Sequence, residues 1–254
     1  MEEMEREIQR LKQELENVKR ESTQYLQNVA HQLTAPLGAI KWSIEAIKDE
    51  EVPIQRKMKL LSSVYSQATI LVHLIKNFTL MSNLDADLEL GQFRDKAAPV
   101  DILRLAINLA NDFQPQALET EKRIKVEDES FQEIIGAGKL LIEKNLVAQA
   151  ISNLLENAVK YAENRSTIEI SAVDSNGIGI CITSTGIAIK PEDYEAIFQR
   201  GFRGELARKK VPAGTGIGLY LASRILRLHD GKIEVRCSGR TSTFTLIFPL
   251  SRRV

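Results

Sequence analysis

The strongest constraint on this chain is a heptad seam at its N-terminus. Met1, Met4, Ile8, Leu11, Leu15, Val18, Ser22, Tyr25 and Val29 recur at alternating three- and four-residue spacing, with Glu, Lys and Arg filling most positions between them. So narrow an apolar stripe covers itself only against another helix, which predicts a parallel or bundled helix pair rather than a lone helix. Glu2 with Arg6 and Glu16 with Arg20 add acid-before-base pairs one turn apart. The remaining charges read as a solvated face.

The helical pattern continues through Leu33, Leu37, Ile40, Ile44 and Ile47, interrupted only by Pro36, where a missing donor and a crowded preceding turn predict a kink. It stops near Asp49–Pro53. A second stretch from about Ile54 to Leu84 repeats the apolar period through Leu60, Val64, Ala68, Leu71, Ile75 and Leu80. Two long helices joined by a short loop make a hairpin, and a hairpin with a heptad extension is expected to dimerise into a four-helix bundle.

From Asp85 to Ala98 the sequence turns polar and aperiodic, as a linker does, and a second alphabet then begins. Ile102–Phe113 reads as a helix, Arg123–Val126 and Glu133–Gly136 as strands, and Asn145–Tyr161 as a long amphipathic helix. Thr167–Val173 and Ile178–Thr183 are apolar-alternating runs joined by the Asn176-Gly177 turn signal of a hairpin. After an irregular basic segment come a helix at Gly218–Leu228 and strands at Lys232–Cys237 and Thr243–Pro249. This order predicts an α/β sandwich.

Two units also suit the length of 254 residues. Lys and Arg (34) balance Asp and Glu (34), which argues against a surface built to neutralise a nucleic-acid backbone. No apolar run approaches the roughly 18 to 20 residues that span a bilayer, and the N-terminus is charged. The expectation is a soluble cytoplasmic chain with no membrane contact and no nucleic-acid partner. Cys181 and Cys237 lie in strand-like runs without metal or redox spacing and read as small core residues.

Four clusters could carry chemistry. His31 falls outside the seam positions, so its imidazole should face solvent. An isolated helical His is usually incidental, but an exposed neutral imidazole is also a nucleophile able to attack phosphorus near neutral pH. On the long helix of the second unit, Asn153, Asn157, Lys160 and Tyr161 share one face. As a bare pattern that is an ordinary polar face; two amides beside a Lys equally suit Mg²⁺ bound chiefly through substrate phosphates. Ser184-Thr185-Gly186-Ile187-Ala188-Ile189 follows a predicted strand, and Gly214-Thr215-Gly216-Ile217-Gly218-Leu219 opens a helix. Glycines at a helix start let backbone N–H groups approach phosphate. A dinucleotide site would want a strand immediately before them, whereas Glu205–Ala213 is basic and irregular, like a mobile lid.

Taken in order, these clusters resemble the sensor histidine kinases of two-component systems, over nearly the whole chain. His31 stands where that family carries its phospho-accepting His, Asn153–Tyr161 looks like its N box, Ser184–Ile189 its G1 box, Phe198–Arg203 its F box and Gly214–Leu219 its G2 box. The resemblance implies a coiled-coil signal linker at 1–22, a dimerisation and histidine-phosphotransfer domain at 23–84, a linker at 85–98 and, at 99–254, a catalytic ATP-binding domain of the kind shared with gyrase and the Hsp90 chaperones. It implies ATP with Mg²⁺, a homodimer, a response-regulator receiver domain as the next phosphate carrier, and an upstream sensor domain absent from this chain. Asn157, assisted by Asn153, would ligate Mg²⁺. Lys160, Tyr161, Ser184, Gly186, Ala188 and Leu219 would line the nucleotide site, and Gly214, Thr215, Gly216 and Gly218 would shape the lid hinge and phosphate contacts. Arg203 and the run Arg208-Lys209-Lys210 would reach phosphates on lid closure, although a solvated basic loop explains the run as well.

The chain departs from the family pattern at four positions. Gln32 replaces the acid that usually follows the His and accepts its proton, which predicts slowed autophosphorylation, since general-base help is worth roughly 10² to 10⁴ in rate. Ala35 replaces a hydrogen-bonding residue linked to dephosphorylation of the regulator, which predicts weak phosphatase activity. Ser184 replaces the Asp that accepts the adenine amino group, at a loss of about 1 kcal/mol, and Ala188 replaces a second glycine. The alternative to an active kinase is therefore a degenerate scaffold or phosphotransfer module that binds a regulator without ATP turnover. Of the remaining residues, His73 reads as a packing or surface residue, His229 as a cation favouring a helix C-terminus, and Trp42 as a bundle-core residue near the His.

Overall fold

The computed structural model describes residues 2–85, 96–136, 138–212 and 214–254. Helices α1 (Glu2–Lys48) and α2 (Ile54–Asp85) form the N-terminal hairpin. At the turn between them the Glu51 N–H donates to Asp49 Oδ1 (3.0 Å). α1 stays helical through Pro36, as the apolar period through Leu33, Leu37 and Ile40 predicts, and Pro36 is itself buried. Pro36 has no N–H to donate to the preceding turn. Met1 and the side chains of Met4, Val18, Ser22 and Tyr25 lie outside the described residues. The seam is described at Ile8, Leu11 and Leu15, all of them exposed, and at Val29, which is half-buried. Most of the polar stretch 85–98 also lies outside the described residues.

The second unit runs β1 (Ala98–Val100), α3 (Ile102–Glu119), β2 (Arg123–Val126), α4 (Asp128–Ile134), β3 (Leu140–Ile142), α5 (Lys144–Tyr161), β4 (Thr167–Asp174), β5 (Ile178–Thr185), α6 (Glu205–Lys210), α7 (Gly218–Leu228), β6 (Lys232–Ser238) and β7 (Thr241–Phe248). Five strands form a mixed sheet in the order β2-β4-β5-β7-β6; β2 and β4 are parallel and the other neighbours antiparallel. β1 and β3 make a separate antiparallel pair. The turn between β4 and β5 follows the Asn-Gly signal: Asn176 has φ 54° and its N–H donates to Asp174 Oδ1 (3.1 Å).

Alternation along the strands decides what each face of the sheet meets. Ile168, Ile170 and Ala172 of β4, Ile178, Ile180 and Ile182 of β5, and Leu246 and Phe248 of β7 are buried in one cluster with residues of α3, α5 and α7. The pairing sets Ile170 opposite Ile182 and Ile180 opposite Leu246, so the apolar residues share one face. The alternate positions carry hydroxyl pairs, with Thr183 and Thr243 Oγ1 atoms 3.0 Å apart and those of Thr185 and Thr241 2.9 Å apart.

One strand expectation fails. Glu133–Gly136 is the end of α4 and the turn after it, not a strand. Phe131 and Ile135 lie one helical turn apart and are both buried, so a helix serves this segment better than alternation would. The strand comes one segment later, at β3, whose Leu140 and Ile142 are fully buried. α3 runs on past Phe113 to Glu119, with its first turn capped by Asp101, whose carboxylate accepts from the Arg104 N–H (2.9 Å). Among the described residues no helix is long and apolar enough to cross a membrane.

The apolar cluster of the second unit takes in the end of the hairpin. Leu80 and Met81 of α2 are buried within it, and the ring of His73 lies on Phe113 of α3 with centroids 5.0 Å apart. α2 therefore packs against α3 and α5 of its own chain.

Candidate functional site

Helix α5 is held at both ends by polar contacts. At its start Glu143 caps the helix, its carboxylate accepting from the Leu146 N–H (2.6 Å), while the Glu143 N–H donates to His229 Nε2 (3.1 Å). His229 Nδ1 bonds the carbonyl of Ile225 (2.8 Å), so the ring accepts at one nitrogen and donates at the other, which requires the neutral form. Burial lowers its pKa, outweighing the Ile225 bond and the nearby Glu143 and Asp230, which raise it; Arg252 also lowers it. The cation expected at this helix C-terminus is thus a buried neutral strut. At the far end of α5, Lys122 Nζ donates to the carbonyl of Val159 (2.6 Å), and Lys210 Nζ donates to those of Tyr161 and Ala162 (2.9 Å each). Cations suit a helix C-terminus. Burial, and then the neighbouring Lys210, lowers the Lys122 pKa.

Beside this helix lies a cleft bounded by β5, the segment after it, the lid carrying α6, and the start of α7. Asn157, Lys160, Tyr161, Ser184, Gly186, Ala188, Arg203, Gly214, Thr215, Gly216, Gly218 and Leu219 all line it. Ile182, Ile197, Phe202 and Phe244 supply an apolar part of its wall. Two glycines make the geometry possible. At Gly186 a Cβ would overlap the carbonyl of Tyr161, so the segment after β5 approaches α5 this closely only without a side chain. Gly216 has φ +69°, and its carbonyl accepts from the Gly201 N–H (3.1 Å), tying the G2-like segment to the F-box-like one.

Other expected residues sit elsewhere or are otherwise engaged. Asn153 is 1% exposed and does not line the cleft; it faces α2, where Asn77 Nδ2 donates to its Oδ1 (2.8 Å). Arg203 borders the cleft, but its guanidinium is spent on the lid, donating to the carbonyls of Ala207, Val211, Pro212 and Gly214. Lys209 pairs with Glu205 (2.7 Å), and Lys210 holds the end of α5. His31 is exposed and is absent from the cleft wall, whereas its neighbour Gln32 is half-buried and lines it. Trp42, expected in a bundle core, is 59% exposed in the single chain.

The sequence reading missed Glu156, whose buried carboxylate lines the cleft and accepts from Lys160 Nζ (2.7 Å). It missed Asn77 and Gln149 as well. Gln149 Nε2 donates to Asn77 Oδ1 (2.8 Å), which completes a buried relay Gln149–Asn77–Asn153 between α2 and α5. The available signal was a polar pair, His73 and Asn77, one turn apart on a helix whose neighbours are Leu71, Leu74, Ile75 and Phe78.

Residues 142–252 match the family of histidine kinase-, DNA gyrase B- and HSP90-like ATPases. The sensor-like histidine kinase SenX3 of Mycobacterium tuberculosis is 28% identical over 227 residues, 89% of this chain and 53% of that protein. The histidine protein kinase SaeS of Staphylococcus aureus is 29% identical over 249 residues, 94% of this chain and 68% of its own length. The chain thus spans about half of SenX3 and two thirds of SaeS. The fold resembles that of the Acinetobacter baumannii histidine kinase AdeS, with a TM-score of 0.55 at 18% identity, covering 87% of this chain and 98% of that one. Over most of its length the chain is thus similar to sensor histidine kinases, and its second unit matches the ATPases of the histidine kinase, gyrase B and HSP90 type.

Proposed function

We propose that the chain is the catalytic portion of an ATP-dependent protein histidine kinase that phosphorylates His31 and passes the phosphoryl group to an Asp of a response-regulator receiver domain. The observation that carries this reading is one cleft lined both by Asn157, Lys160 and the glycines of the lid hinge and by Gln32, the residue beside His31. Residues far apart in sequence converge there on a space walled by glycine-rich segments, an amide and an apolar surface, which suits a nucleotide.

In this reading Ser184 accepts from the adenine amino group directly or through water. Gly214, Thr215 and Gly216 present backbone to the phosphates. Asn157, half-exposed in the cleft, is the better placed of the two amides to hold Mg²⁺; Asn153 is turned toward α2. A divalent ion here would be held by the Asn157 amide together with phosphate oxygens of the nucleotide. When bound, Mg²⁺ neutralises charge developing on the phosphates. Gln32 orients the His31 ring but takes no proton, so the proton of the attacking imidazole leaves to solvent. Ala35, lacking a hydrogen-bonding group, leaves phosphatase activity weak. The chain works as a homodimer, with the exposed apolar side chains of the hairpin meeting a second copy.

Incubation with Mg²⁺ and γ-labelled ATP, beside His31→Ala, tests this. The expected result is an acid-labile, base-stable label that disappears in His31→Ala. A folded chain that takes no label while still binding nucleotide would favour the scaffold alternative, for which Gln32 and Ser184 speak.

A further inference from the structure

We infer that phosphorylation of His31 runs in cis: the ATP unit of one chain serves the His31 of that same chain. The inference rests on the kinase reading above and adds a direction to it.

Two independent features carry it. First, the wall of the cleft is shared within one chain. Gln32 of α1 and Leu74 and Asn77 of α2 border the same space as Asn157 and Gly214. His31 is the exposed neighbour of Gln32, so the turn of α1 that carries the nucleophile adjoins the chain's own nucleotide cleft.

Second, the docking of hairpin on ATP unit is specified by buried polar groups, which tolerate misregister poorly. Gln149, Asn77 and Asn153 are 5%, 6% and 1% exposed and are bonded in series across the α2–α5 contact. Gln149 also reaches the carbonyl of His73 (3.5 Å), and the His73 ring covers Phe113. A shift of α2 along α5 would strand these amides without partners and without water, so the relay selects one register, and in that register the chain's own Gln32 faces the cleft.

In the step itself a ring nitrogen of His31 uses its lone pair to form a bond to the γ-phosphorus of ATP. The bond from that phosphorus to the β,γ-bridging oxygen breaks, its electron pair leaves on ADP, and the imidazole proton passes to solvent beside the exposed ring. Gln32 and Asn77 act as positioning residues, since neither gains or loses a proton.

Mixed dimers decide the direction. His31→Ala and Asn157→Ala chains are co-expressed with tags of different size and incubated with Mg²⁺ and γ-labelled ATP. In cis, neither chain owns both a nucleophile and an intact nucleotide site, and label stays at background. In the complementary mixture, wild-type chain with the double variant His31→Ala/Asn157→Ala, the wild-type subunit labels at the rate per subunit of the wild-type homodimer. Label on the Asn157→Ala subunit of the first mixture, with none on the wild-type subunit of the second, would overturn the proposal. Dimers carrying both tags are isolated before labelling, which removes homodimers from each mixture, so an Asn157→Ala chain that fails to fold or to pair yields no such dimer and is not read as a cis result. Wild-type homodimer that takes no label would instead bring down the kinase reading and this inference with it.

Discussion

The hairpin and the ATP unit of this chain deal with apolar surface in opposite ways. The ATP unit closes on itself: Phe113, Phe131, Ile168, Ile170 and Phe248 are at most 1% exposed. The hairpin leaves Leu37, Trp42, Met58, Leu61, Tyr65 and Ile75 between 50% and 63% exposed, on helices that pair chiefly with each other and, through α2, with α3, α5 and α7. The difference teaches where each unit's specificity lies. An α/β sandwich has two layers that bury each other, whereas a two-helix hairpin has too few layers to cover its own stripes and presents the remainder to another surface.

The sharpest way to break the contrast is to place the same kind of truncation in both units. Phe248→Ala, which removes a fully buried ring, is expected to cost about 3–5 kcal/mol and to lower the unfolding midpoint of the ATP unit strongly. Leu61→Ala, half-exposed in one chain, is expected to leave that midpoint within about 0.5 kcal/mol while weakening self-association. Urea unfolding followed by circular dichroism reads the first effect and sedimentation the second. Equal losses of midpoint in the two variants would show that hairpin and ATP unit share one cooperative core.

A smaller effect tests the seam between the units. Burial lowers the pKa of His73 from the ordinary 6.5, Glu156 of α5 and Asp112 of α3 raise it, and Lys76 on its own helix lowers it. Below 6.5 the exposed ring of the undocked state takes up protons before the docked ring does, so docking is most stable above that pH and weakens as pH falls toward the lowered value. The slope is at most about 1.4 kcal/mol per pH unit for one group. His229 is shifted in the same direction inside the ATP unit, so the comparison must isolate His73. In His73→Phe, the protection of α2 amides, relative to their intrinsic exchange at each pH, is expected to lose its dependence on pH below 6.5, while that of α5 near Glu143 keeps it. An unchanged profile in both segments would mean that His73 does not carry the docking contact.

The smallest effect belongs to the cleft. Ser184→Asp is expected to tighten adenine-nucleotide binding several-fold, by about 1 kcal/mol, with little effect on a guanine nucleotide. Titration calorimetry with both nucleotides checks it, and an equal change for the two would remove Ser184 from base recognition.

What was legible in the sequence follows the same division. Period and punctuation gave away elements that bury one face: the strands around Asn176-Gly177, α7 at Gly218–Leu228 and the long α2. The segment Glu133–Gly136 was misread because its burial is shared at helical spacing by Phe131 and Ile135, which a four-residue window does not contain. Motif residues of the cleft were readable because close backbone approach needs glycine, as at Gly186 and Gly216. The relay through Asn77 and Gln149 was not, because it joins residues 72 apart whose amides say nothing of their partners until α2 is docked on α5. His229 was misread for a similar reason: a helix-end position suggested a cation, and only the fold buries the ring beneath Glu143.

The most direct test of the contrast is the mass of the chain in solution by sedimentation equilibrium across the micromolar range, for wild type and for Trp42→Glu/Leu61→Glu. The account predicts twice the 28.5 kDa chain mass for the wild type and the single-chain mass for the variant, with the ATP unit still folded. A wild-type mass of one chain throughout, unchanged by the two charges, would contradict it.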